Sequence, residues 1–104
     1  MKSKCFLILL ISFSLTIIKA QELNMNNPFF KVWNTPFNTP PFSEIKINDF
    51  LPAFEEGMKQ HKIEIEKIIN NNEAPTFKNT IVELEKSGAL LIKVANVFYN
   101  LNNT

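Results

Sequence analysis

The sequence predicts an all-α fold in which an extended aromatic and proline-rich arm precedes a long antiparallel helical hairpin. Three observations point there. Beyond residue 47 the apolar residues return at steps of three and four, the period of one helix face. The run Asn70-Asn71-Asn72 with Pro75 divides that periodic stretch in two. Four of the six prolines crowd between Pro28 and Pro41, where fixed φ angles push the preceding residues toward extended geometry. The chain of 104 residues therefore divides into 1–20, 21–46 and 47–104.

Residues 1–20 read as a secretory signal peptide. Lys2 and Lys4 precede an apolar stretch from Cys5 to Ile18, and the small Ala20 stands before the polar pair Gln21-Glu22. The apolar run is shorter than the roughly 20 residues that cross a bilayer comfortably, which favours cleavage after Ala20 and export over a stable membrane anchor. Cys5 precedes the apolar run, where a lipid-modified cysteine would follow it, and the exported chain would then carry no cysteine.

Residues 21–46 form the arm. Phe29, Phe30, Trp33, Phe37 and Phe42 stand among Pro28, Pro36, Pro40 and Pro41, so the rings are expected to dock and hold the arm down. The spacing of Pro36, Pro40 and Pro41 lacks the P-x-x-P repeat of a polyproline ligand, which favours packing over recognition.

The first helix is expected over about 48–70. Phe50, Phe54, Met58, His61, Ile65 and Ile68 share one face, Asn48 is the expected N-cap, and Asp49 suits the positive end of the macrodipole. Pro52 is tolerated so early because the first N–H groups have no acceptor within the helix. The second helix is expected over about 77–101, with Thr76 and Asn79 as a variant capping box and Phe77, Ile81, Leu84, Leu91, Val94, Phe98 and Leu101 on its apolar face. Gly88 predicts a bend or a close helix contact within it. Ala89-Leu90-Leu91-Ile92 and Val97-Phe98-Tyr99 make this helix apolar on more than one face, the pattern of a helix buried in a larger protein.

Composition excludes several classes of function. Eleven basic residues against ten acidic ones, with no basic run, leave no electrostatic footprint for nucleic acid. One Cys and one His supply neither a disulfide framework nor a zinc site. His61 and Glu64 begin the pattern H-x-x-E-H, but Ile65 follows, so His61 reads as a packed or edge histidine. The pairs Glu55/Glu56, Glu64/Glu66 and Glu83/Glu85 do not face one another on a helix; with Lys59, Lys62 and Lys67 nearby they read as solvated charge. Ser43 and Ser87 have no second histidine to activate them, and Gly57 and Gly88 make no phosphate-cradling loop. Asn102-Asn103-Thr104 matches a glycosylation sequon, a pattern that three terminal residues meet easily by chance. No catalytic, cofactor-binding or metal-binding residue is assigned in this chain.

A set of strings spread over the chain carries a resemblance. They are Asn27-Pro28-Phe29-Phe30, Pro40-Pro41-Phe42 with Ile45, and Phe50-x-Pro52-Ala53-Phe54-Glu55-Glu56-Gly57-Met58. Glu73-Ala74-Pro75-Thr76-Phe77-x-Asn79-Thr80-Ile81 follows, then Glu83-x-Glu85-x-Ser87-Gly88-Ala89-Leu90-Leu91 and Val97-Phe98-x-Asn100-Leu101. In that order they resemble the N-terminal region of the peptidyl-dipeptidase (Dcp-type) branch of the thimet oligopeptidase/oligopeptidase A family of zinc metallopeptidases.

The resemblance implies the first part of a longer, two-lobed helical peptidase that removes C-terminal dipeptides from oligopeptides. It implies zinc in the full-length enzyme, held by a late H-E-x-x-H helix and a downstream Glu that have no counterpart here. The segment alone would be inactive, and its partner would be the missing C-terminal remainder, which would cover the aromatic arm and the apolar second helix. The alternative is a small secreted helical-hairpin module that binds a partner through its apolar surface, and an anchored small membrane protein is a third reading.

Overall fold

In the computed structural model, which describes residues 22–103, every regular element is a helix or a single helical turn. The signal peptide read in residues 1–20 lies outside the described residues.

The arm is less extended than its prolines suggest. Pro28–Phe30 and Pro36–Asn38 each close a 3₁₀ turn with the proline at its start, where the missing N–H costs nothing. Asn27 caps the first turn, its side-chain oxygen accepting from the Phe29 N–H at 3.0 Å. Docking of the rings is partial: Phe29 is 1% exposed and Phe30 and Trp33 are half-buried, whereas Phe37 is 99% exposed and Phe42 is also exposed. The second turn explains Phe37. Phe37 and Asn38 both sit at left-handed φ angles of 58° and 55°, which swings the Phe37 ring away from the helices.

Helix α1 runs Ile47–Ile69. Asn48 lies inside its first turn and is not the N-cap. Lys46 flanks the helix, and the Asp49 carboxylate accepts from the Lys46 N–H at 2.7 Å, the reciprocal half of a capping box. Asp49 wins the position because its carboxylate both reaches that N–H and suits the helix dipole.

The second apolar stretch is not one helix. Thr76 and Asn79 form the expected reciprocal cap, with bonds of 3.0 and 2.7 Å, but they open a π-helical turn over Phe77–Val82. The β-branched run Thr80-Ile81-Val82 is a poor α-helix former. Helix α2, Glu83–Lys86, follows directly, and the chain then breaks at Ser87-Gly88 before helix α3, Ala89–Asn102. The predicted bend at Gly88 is a full interruption: Ser87 is extended and Gly88 sits at φ 75°, a conformation that strains any residue with a Cβ.

Helices α1 and α3 pack antiparallel. Phe50 and Phe54 near the start of α1 meet Phe98 late in α3, Gly57 meets Leu91, and His61 meets Gly88. Ala53 and Gly57, four residues apart and both fully covered, let the helices approach closely; a Cβ on Gly57 would lie 2.9 Å from the Leu91 Cα. The core is small: Phe29 from the arm, Ala53 from α1, and Val94 and Val97 from α3 are the buried apolar residues. Burying Phe29, Val94 and Val97 contributes about 1.5–3 kcal/mol each. The surface ion pairs Lys59–Glu56, Lys62–Glu66 and Lys86–Glu83, at 3.7, 3.9 and 3.5 Å, add at most about 1 kcal/mol each.

Candidate functional site

Several ionisable side chains of the hairpin are committed to structure. The ring of His61 lies under the break between α2 and α3, 3.3 Å from where a Gly88 Cβ would stand. Glu64 departs from the solvated role expected of it: its Oε2 accepts from the Gly88 N–H at 2.7 Å and so ties the start of α3 to α1. Lys59 pairs with Glu56, three residues before it, rather than with Glu55. The Ser87 hydroxyl donates to the Leu84 carbonyl at 2.7 Å, and Ser43 is exposed on the arm. Among the described residues no three of His, Cys, Asp and Glu cluster as metal ligands. A cleft of about 320 Å³ between the end of α1 and α2 is lined by Glu64, Lys67, Glu83 and Lys86, charges of both signs that are already engaged in part.

Two polar residues that sequence reasoning passed over fix the arm on the hairpin. Asn27 is 3% exposed and donates from Nδ2 to the Asp49 carbonyl at 2.8 Å, joining the arm to the first turn of α1. Lys93, the single charged residue of α3, turns its Nζ toward the arm. It donates to the Phe29 and Lys31 carbonyls at 3.0 and 2.9 Å and lies 4.1 Å from the centre of the Trp33 ring. Burial lowers the Lys93 pKa below its ordinary value. The signal available in the sequence was one lysine within an otherwise uncharged helix, a residue that must find partners or reach water.

What the hairpin offers outward is apolar surface. Phe29, Phe50, Phe98 and Phe54 form a continuous aromatic path, with neighbouring ring centroids 5.2, 5.6 and 5.6 Å apart; Trp33 extends it at the arm and Tyr99 at the end of α3. On the same two helices Leu51 and Met58 of α1 and Ile92, Tyr99 and Leu101 of α3 are each at least half exposed. Phe77, Ile81 and Leu84 are likewise uncovered. So many exposed large apolar side chains on one small hairpin mark an interaction face. Among the described residues no helix is long and apolar enough to cross a membrane.

No family model matches the chain. Over 73 residues, 70% of its length, it is 45% identical to dipeptidyl carboxypeptidase of Salmonella typhimurium. It is 44% identical to dipeptidyl carboxypeptidase of Escherichia coli over the same length. The chain spans about 11% of the length of either relative. The resemblance read from the residues is thus matched by a sequence similarity to dipeptidyl carboxypeptidases along most of the chain.

Proposed function

We propose that this Dcp-type chain is the N-terminal segment of an exported zinc metallopeptidase that removes C-terminal dipeptides from oligopeptides, and that the segment contributes scaffold rather than chemistry. The observation that carries this reading is the similarity to two dipeptidyl carboxypeptidases over 73 residues that amount to 11% of their length. The exposed large apolar side chains of α1 and α3 support it, because a segment of a larger helical protein leaves such faces for the remainder to cover.

The donors of this chain do not fit the zinc ion that the resemblance implies. His61 is its one histidine and packs under Gly88, while Glu64 is bonded to the Gly88 N–H. A catalytic zinc site takes three protein ligands, so the metal and the water it activates belong to residues beyond this segment. The role of the segment would be to position: the Asn27 and Lys93 bonds set the arm, and the Ala53/Gly57 contact sets the angle between the two long helices.

Two measurements test the reading. The coding sequence downstream of Thr104 is expected to continue in frame to an H-E-x-x-H motif. The purified chain is expected to bind no stoichiometric zinc and to leave blocked tripeptides and tetrapeptides intact. Chelator-sensitive cleavage by the pure chain would overturn the scaffold assignment. A cooperatively folded, monomeric chain with a stop codon and no such motif would favour the small secreted binding module.

A further inference from the structure

We propose that Lys93 is a clasp and that residues 31–39 form a strap, able to lift off the hairpin while the root of the arm at Asn27–Phe29 stays docked. This goes beyond the peptidase reading and does not rest on it.

The root and the strap are held by different means. The root has its own anchors: Phe29 is 1% exposed in the core, and Asn27 bonds to the Asp49 carbonyl at 2.8 Å and to the Phe29 N–H at 3.0 Å. Neither anchor involves a residue beyond Phe30 within the arm; Lys93 adds a third tie to the root, its Nζ donating to the Phe29 carbonyl at 3.0 Å. The strap's hydrogen bonds are internal or run back to the root, with one exception. Trp33 Nε1 donates back to the Pro28 carbonyl at 3.0 Å, the Thr39 hydroxyl to the Pro36 carbonyl at 3.0 Å, and the Thr35 hydroxyl to the Thr39 carbonyl. The exception is the Lys31 carbonyl, which accepts from Lys93 at 2.9 Å.

Apolar burial in the strap is confined to Trp33, which packs in part against the core. Val32 is 85% and Phe37 99% exposed, so two of the strap's large apolar side chains gain almost nothing from docking. The third, Trp33, is half-buried with its ring face toward the Lys93 ammonium at 4.1 Å. Between strap and hairpin lies an open groove lined by Trp33, Asn38, Gln60, Leu90 and Lys93, so the strap stands off the helices around the clasp. A single side chain from α3 thus spans the gap and grips the strap by a backbone carbonyl and a ring. Because residues 35–39 are stapled to one another by the Thr35 and Thr39 bonds, the strap would lift as a unit, breaking the Trp33–Pro28 bond as it leaves the root.

Trp33 is the one tryptophan of the chain and reports the clasp directly. The experiment compares the full chain with its Lys93→Met and Lys93→Arg variants by Trp33 emission, acrylamide quenching and far-UV circular dichroism. Lys93→Met keeps length and apolar bulk and removes the donors. Its Trp33 emission is expected to shift to the red and its quenching to rise, with the helical signal unchanged; Lys93→Arg, which restores donors and charge, is expected to return Trp33 toward the parent. Hydrogen exchange on the parent chain is the second reading: amides of residues 31–39 are expected to exchange by local opening, faster than the Phe29 amide and the α1 amides. An unchanged Trp33 in Lys93→Met would overturn the clasp. Loss of the helical signal together with Trp33 exposure would also overturn it, by showing that Lys93 holds the whole fold, and so would strap amides that exchange no faster than the hairpin.

Discussion

Replacing Gly57 with alanine tests the close approach on which the hairpin geometry depends. A Cβ at this position would stand 2.9 Å from the Leu91 Cα, 3.1 Å from its N and 3.3 Å from its Cβ. Two of those atoms are backbone, so no side-chain rotation relieves the clash. Reaching ordinary contact at 3.4 Å requires α1 and α3 to part by about 0.5 Å, the difference between 3.4 and 2.9 Å. A gap of roughly that size forfeits a quarter or more of the dispersion energy of each contact it opens, and the contacts concerned are those of Ala53, Val94 and Val97. Overpacking of this kind costs about 1–3 kcal/mol, while alanine in a helix interior recovers about 1 kcal/mol relative to glycine. The net expectation is a loss of about 1 kcal/mol, or a fall of about 4–8 °C in melting temperature for a chain of this size. Thermal melts followed by far-UV circular dichroism give the answer. A Gly57→Ala chain that melts higher than the parent would show that helix propensity wins and that the helices do not meet at this residue.

Other expectations follow from the same contacts. Gly88→Ala forces an L-residue to φ 75° and sets a methyl 3.3 Å from the His61 ring, for an expected loss of about 1–2 kcal/mol in urea unfolding; an unchanged midpoint would argue against the break between α2 and α3. Asn27→Ala removes two bonds from a side chain that is 3% exposed and leaves the Asp49 carbonyl without that donor, for about 1–3 kcal/mol in the same assay. The pH dependence of Lys93 has a definite sign. Burial holds its folded pKa below 10.5, so between that lowered value and 10.5 the unfolded chain binds more protons, and stability rises with pH across the window. Below the window both forms are charged and the desolvation cost is fully present. Urea midpoints measured through the window should climb more steeply for the parent than for Lys93→Met, and equal slopes would contradict the shift.

The helical character of residues 47–102 was legible because it is written locally, in the three-and-four spacing around Phe50, Phe54 and Ile65 and in the Thr76–Asn79 cap. Gly88 was legible as a punctuation mark, since glycine within an apolar helical stretch has few other uses. Other features depend on partners far along the chain. Lys93 bonds to carbonyls more than 60 residues away, and the Gly88 N–H takes Glu64 across 24 residues; neither pairing leaves a spacing to read. Gly57 carried a weak signal, because Ala53 and Gly57 are small residues four apart on one face, which suits a close helix crossing. Phe37 misled for a physical reason: aromatic residues usually bury, but a proline turn with two left-handed residues after it directs this ring outward. The interaction face was legible as surplus hydrophobicity in residues 89–101, and the structure adds the aromatic path that links it to the arm.

The proposed role of this hairpin and its arm is that of scaffold in a dipeptide-releasing peptidase. A chimera tests it most directly: Escherichia coli dipeptidyl carboxypeptidase with its matching 73-residue stretch replaced by the corresponding residues of this chain. The measurement is release of C-terminal dipeptides from a blocked tetrapeptide. The chimera is expected to fold and to release dipeptides at a rate within about tenfold of the parent enzyme, a loss of at most about 1.4 kcal/mol in transition-state stabilisation. A chimera that folds with the parent's helical content yet releases no dipeptide would contradict that role.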